Sequence, residues 1–148
     1  ITLNKKFDNA VFIGGWLGIS SFWSYKKDIM NNITNIDIDE DAIKFSKKLN
    51  EYNHGVKSIV DNADEHDYSE YDLVINTSSE HMTEDWFKKV KKGTTVALQT
   101  NDFHDIVEHI NTVNNLKELE EKYPMSEVLF SGTKDCDRYN RFMLIGIK

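Results

Sequence analysis

Apolar positions along the chain follow two periods. Short continuous runs at Ala10–Ile13, Ile33–Ile38, Val56–Val60, Leu73–Asn76 and Thr94–Gln99 predict five strands, and Val128–Ser131 and Phe142–Ile147 predict two more. Helical spacing fills most of the gaps. Gly18 to about Lys27 carries Ile19, Phe22 and Trp23. Asp39 is placed to cap a helix whose face is Ala42, Phe45, Ser46 and Leu49. Thr83 is placed to cap another, with Trp86, Phe87 and Val90 on its apolar side and Gly93 closing it. Asp102 to Tyr123 spaces Ile106, Ile110 and Val113, then Leu116 and Leu119, which predicts two helices broken near Asn114–Asn115 and stopped by Pro124. The acidic stretch Asp61–Tyr71 reads as a loop. Strands that alternate with helices and are apolar on both sides belong to a parallel sheet covered on both faces. The last two strands have no helix between them, so they predict an antiparallel hairpin at the sheet edge.

Composition narrows the class. The chain has 148 residues, 39% hydrophobic and 29% charged, which suits one domain spanning 1–148. Its net charge of −7 argues against a general grip on nucleic acid, which leans on Lys and Arg. Cys136 is the lone cysteine, so no intrachain disulfide or cysteine metal cluster is available, and a reducing, cytoplasmic setting is expected. No apolar run approaches the ~20 residues that span a bilayer, so no membrane partner is expected. His54, His66 and His104 lack the spacing of a ligand set, so no metal is expected.

In such a sheet, ligands bind at the carboxyl ends of the strands, near the switch in strand order. The chain places there Gly14, Gly15 and Gly18 after strand one, Asp37 at the end of strand two, Asn62-Ala63-Asp64 after strand three, and Asn76 to His81 after strand four. Thr100-Asn101-Asp102 follows strand five, and Arg138, Tyr139 and Arg141 precede the reversed last strand. Glycines let backbone approach a ligand, and an acid about 20 residues beyond the first glycine can accept hydrogen bonds from two ribose hydroxyls.

With its order of elements, the segments "VFIGGWLG", "NIDIDEDAI", "DNADEHDY" and "YDLVINTSSEHM" resemble four motifs of the class I S-adenosylmethionine-dependent methyltransferases, over nearly the whole chain. The resemblance implies a single-domain α/β Rossmann-like fold, with a mostly parallel seven-stranded sheet in the order 3-2-1-4-5-7-6 and helices on both faces. It implies S-adenosylmethionine as cofactor and S-adenosylhomocysteine as product. Gly14, Gly15, Trp16 and Gly18 would face the methionine part. Asp37, with Ile38, would hold the ribose; Asp64, with Ala63, would hold the adenine amine; Asn76 would face the transferred group. Phe12 and Trp16 stand where the family often has an acid and a glycine, which suggests Trp16 packing on the sulfonium.

Glu80, His81 and Asp102 are the candidate bases for a protonated acceptor, a small or exposed molecule. Arg138, Tyr139 and Arg141 are a candidate clamp for a substrate carboxylate. Plainer readings stand beside these: Glu80 and His81 as helix-capping residues, Asp64 as surface charge among Asp61, Glu65 and Asp67. Transfer of the aminocarboxypropyl arm and a non-catalytic binding module remain open. A nicotinamide dehydrogenase fits poorly, since its fingerprint wants glycine where Ile13 stands. Only nine residues precede the first strand, so the family's N-terminal helix is expected to be missing and a second subunit, in a homo-oligomer, to close the pocket.

Overall fold

The computed structural model describes residues 5–148. In chain order it contains β1 (Phe7–Ile13), α1 (Ile19–Lys26), β2 (Met30–Asp37), α2 (Glu40–Leu49), β3 (Val56–Val60), β4 (Leu73–Asn76) and a 3₁₀ turn (Ser79–His81). There follow α3 (Asp85–Lys89), β5 (Thr95–Asn101), α4 (Leu116–Lys122), β6 (Glu127–Asp135) and β7 (Asn140–Ile147). The seven strands form one sheet in the order β3-β2-β1-β4-β5-β7-β6. The pairs from β3 through β5 are parallel, and β7 runs antiparallel to both β5 and β6. The sheet is therefore the one the resemblance implied, edge hairpin included.

Strand periodicity decides the core. β1 alternates Ala10 and Phe12 toward one face with Val11 and Ile13 toward the other, and all four are buried. Phe12 joins Phe7, Ala10, Met30, Ile33 and Leu73 in one cluster. Val11 and Ile13 join Ile36, Val74, Val96 and Leu98 on the opposite face, under Trp86 and Phe87 of α3 and Leu119 of α4. Each such side chain contributes about 1.5–3 kcal/mol when fully buried. Phe12 is thus a core residue and not a wall of any ligand site.

The helices depart from expectation in three places. On α2 the buried positions are Ala42, Ile43 and Ser46, while Phe45 stays 49% exposed. The buried row runs on to Asn50 and is partly polar, so an apolar count misplaces it. Of the two helices predicted over 102–123, the first does not form and the second is α4. Side chains take the backbone amides instead: Asn101 Oδ1 accepts from Phe103 N, Glu118 Oε2 from Asn114 N, and Asn115 Oδ1 caps α4 through Glu118 N. Finally, α3 starts at Asp85 behind Glu84, and Thr83 Oγ1 accepts from Asp85 N. Asp39 does cap α2, accepting from Asp41 N and Ala42 N.

Candidate functional site

The turn after β1 is held from below by a buried polar network. Asn35, fully buried on β2, donates to Trp16 O at 3.3 Å and to Ser46 Oγ at 3.3 Å, and accepts from Ser21 Oγ at 3.1 Å. Ser46 also bonds Ser58 Oγ at 2.8 Å. The network joins α1, α2, β2 and β3, and every bond offsets the cost of burying a polar group. A Cβ on Gly15 would strike Asn35 Oδ1, and one on Gly18, at φ 70°, would strike Ser46 Oγ. Both glycines therefore serve the packing beneath the turn.

Trp16 adopts φ 47°, a left-handed conformation costing about 1–3 kcal/mol for a residue with a side chain. Its N–H donates to Asp37 Oδ2 at 2.8 Å, and Asp37 Oδ1 accepts from Asp39 N at 3.0 Å. Each carboxylate oxygen thus takes one backbone amide and keeps a lone pair for a ligand hydroxyl.

Above the turn, at the carboxyl ends of the strands, lies a cavity of about 520 Å³. Its wall contains seven of the expected residues: Gly14, Trp16, Asp37, Ile38, Ala63, Asp64 and His81. Gly15 and Gly18 lie beneath the turn, as described, and Asn76, Glu80, Asp102, Arg138, Tyr139 and Arg141 are not in the wall. Asn76 is fully buried; its Oδ1 accepts from Ser78 N and its Nδ2 points at Met82 Sδ, 3.1 Å away, so it shapes the turn after β4. Asp64 spends one oxygen on α3 and the other on the loop before it, accepting from Trp86 N at 3.1 Å and Thr83 Oγ1 at 2.8 Å. Asp61, beside it in the wall, pairs its Oδ2 with His66 Nδ1 at 2.6 Å, and His66 Nε2 meets Tyr71 Oη at 3.2 Å.

Asp102 clasps the start of β7, accepting from Asn140 N at 2.7 Å and Asn140 Nδ2 at 2.8 Å. Slight burial pushes its carboxyl up, but those hydrogen bonds outweigh it and hold the group below the ordinary value of 3.8. A carboxylate so held is a poor base near neutral pH. The expected clamp is also otherwise engaged. Arg141 donates to Thr77 O at 3.1 Å, Gln99 Oε1 at 3.3 Å and Glu80 Oε1 at 3.3 Å, so the carboxylate it meets belongs to the chain itself. Tyr139 stacks on Phe103 at 5.6 Å, and Arg138 is exposed.

Glu80 is 3% exposed. Its Oε1 also accepts from Asn101 Nδ2 at 2.8 Å, while its Oε2 has no hydrogen-bond partner. His81 faces His109 edge to face, with ring centroids 4.7 Å apart, and His109 Nδ1 lies 2.7 Å from Phe103 O. Sequence reading passed over His109 because it set that residue on a helix that does not form. Asn62, Ser78 and Met82 of the wall lie within the motif segments but were given no role, and Ile110 was set on the helix that does not form; only the folded loops bring the four together.

No family model and no curated sequence matches the chain. Solved structures do resemble it. The N-methyltransferase NodS from Bradyrhizobium japonicum WM9 matches at TM-score 0.76 and 11% identity, over 97% of this chain and 86% of that one. The [4+2]-cyclase SpnF matches at TM-score 0.79 and 11% identity, over 99% and 77%. Phosphoethanolamine N-methyltransferase 2 from Haemonchus contortus, in complex with S-adenosyl-L-methionine, matches at TM-score 0.72 and 12% identity, over 97% and 50%. At these identities the likeness establishes the fold: the chain has the Rossmann-like fold of the class I S-adenosylmethionine-dependent methyltransferases.

Proposed function

We propose that the protein binds S-adenosylmethionine and transfers its methyl group to a small or exposed acceptor. The observation that carries this reading is Asp37, fixed in the wall of the cavity by two backbone amides beside the left-handed turn. Its free lone pairs suit a ribose diol, and a cavity of about 520 Å³ is within the usual range for such ligands. Ile38 and Ala63 supply apolar contact for a flat base between Asp37 and the loop after β3. Asp61, Asn62 and Asp64 supply polar atoms at that end, Asp64 while also capping α3. Gly14 and Trp16 stand at the methionine side. The indole of Trp16 is 61% exposed, free to cover a sulfonium cation.

The cofactor, when bound, supplies an electrophilic methyl group on positively charged sulfur. The protein's part is then to align the acceptor and exclude water. His81, in the wall, is the group placed to take a proton from the acceptor, with Glu80 behind it in the same turn. Calorimetry with S-adenosylmethionine, S-adenosylhomocysteine and NAD tests the reading. Binding of both adenosyl ligands and not NAD is expected; failure of both would end it. Product analysis then tests the chemistry: S-adenosylhomocysteine supports methyl transfer, and methylthioadenosine supports transfer of the aminocarboxypropyl arm instead.

No helix among the described residues is long and apolar enough to cross a membrane. Trp16, in the cavity wall, and Ile19 and Trp23 of the helix that follows it are all more than 45% exposed, which supports cover by a second copy of the chain. Sedimentation at rising concentration tests this; an active monomer throughout would refute it.

A further inference from the structure

We propose that Glu80, His81 and His109 form a binding site for one divalent metal ion of the borderline class, such as Zn²⁺ or Co²⁺, at the His81 end of the cavity. One ligand atom from each of the three residues lies within 4.8 Å of the others. Two imidazoles and one carboxylate are a ligand set that such ions accept, leaving coordination positions open toward the cavity. Tetrahedral bonds of about 2.0–2.2 Å put ligand atoms about 3.4 Å apart, so the set must close by up to about an ångström, and His81, which is exposed, is free to turn inward.

Three further observations point to a ligand here. Glu80 Oε2 is buried and without a partner, although Oε1 of the same carboxylate holds Asn101 and Arg141. A desolvated, unpaired carboxylate oxygen is costly, and a cation removes that cost. His109 Nδ1 faces a backbone carbonyl, so it carries the proton and leaves the lone pair on Nε2 for a metal. The segment bearing His109 is also tied to the turn bearing Glu80 and His81: Asn111 N donates to Glu80 O at 3.0 Å, and Asn111 Nδ2 donates to Met82 O at 2.8 Å. Asn101 and Arg141 orient Glu80 as outer partners commonly orient metal-ligating carboxylates.

Arg141 cancels the charge of Glu80, and both imidazoles are neutral as ligands, so the metal's charge stands uncompensated. The open positions therefore favour a donor that arrives as an anion, such as hydroxide or an ionised acceptor oxygen. With a metal bound, His81 has no lone pair left for the acceptor's proton, and metal-bound hydroxide takes that role in its place; this step rests on the methyltransferase reading, and the metal site does not.

The test uses the full chain, stripped with a chelator and titrated without any adenosyl ligand. Calorimetry with Zn²⁺ is expected to show one equivalent bound, and Co²⁺ to give the visible absorption of a nitrogen-and-oxygen site of four or five ligands. His81→Ala and His109→Ala should each weaken Zn²⁺ binding by at least about 10-fold; His54→Ala, at an exposed histidine in the turn before β3, should bind as the parent does. His81 is exposed, so its variant folds even if that of His109 does not. No saturable binding by the parent, or binding that His81→Ala and His109→Ala both leave unchanged, would overturn the proposal. Metal binding by a protein that ignores S-adenosylmethionine would sink the functional reading and leave this one standing.

Discussion

Asp37 organises its surroundings through single atoms. It takes one amide on each oxygen and so holds Trp16 in a strained backbone conformation. Charge-assisted bonds of this type contribute about 1.5–3 kcal/mol. Asp37→Ala is therefore expected to weaken S-adenosylmethionine binding by about 10- to 100-fold in calorimetry, with the far-ultraviolet dichroism unchanged. Asp102 acts on stability. Its folded carboxyl binds a proton less readily than the unfolded one, so its contribution is present in full well above 3.8 and is lost as pH falls through the lowered folded value. Denaturant titrations should show Asp102→Asn less stable than the parent near neutral pH, with the gap closing in acid. Asp37 could be read from the sequence because it ends a strand at a fixed interval after a glycine turn. Asn35 could not: a polar residue inside a strand looks like an exposed one until two helices are seen to cover it.

The elements show where periodicity is a sound guide and where it fails. The strands were legible because each puts apolar side chains on both faces, and β3 and β4 have the predicted bounds. The segment 102–115 misled because its apolar positions keep helical spacing while Val107 and Ile110 face solvent. Helical spacing needs a partner surface to become a helix, and here asparagine side chains and long-range bonds claim the amides first. The short α3 depends on a cap from another loop. Asp64→Ala removes the acceptor of both Trp86 N and Thr83 Oγ1 and should cost about 1–2 kcal/mol in chemical denaturation. Asp64→Asn, which keeps a side-chain oxygen, should cost less.

Across the whole molecule, the kind of sheet followed from two patterns visible in the sequence, the alternation of strand with helix and the helix-free hairpin at the end, while its strand order came with the family resemblance. What the hairpin does for the site was not visible. β7 lies beside β5 and carries Arg141 to Glu80, joining the end of the chain to the turn after β4. Arg141→Ala would leave Glu80 buried beside Asn101 with its charge uncompensated, and a loss of about 3 kcal/mol is expected in denaturant titrations. Adding Glu80→Gln to that variant should recover part of the loss, because the charge that needed a partner is gone.

Asn111 bonds at once to the backbone of Glu80, the backbone of Met82 and the phenol of Tyr123, whose own proton burial holds up to about 12. The part of the cavity wall around Met82 is thereby riveted to the core, while Trp16, in the same wall, is 61% exposed. Hydrogen exchange should report this asymmetry, with the Asn111 amide protected for far longer than the amides of Asp105 to Val107 in the same loop.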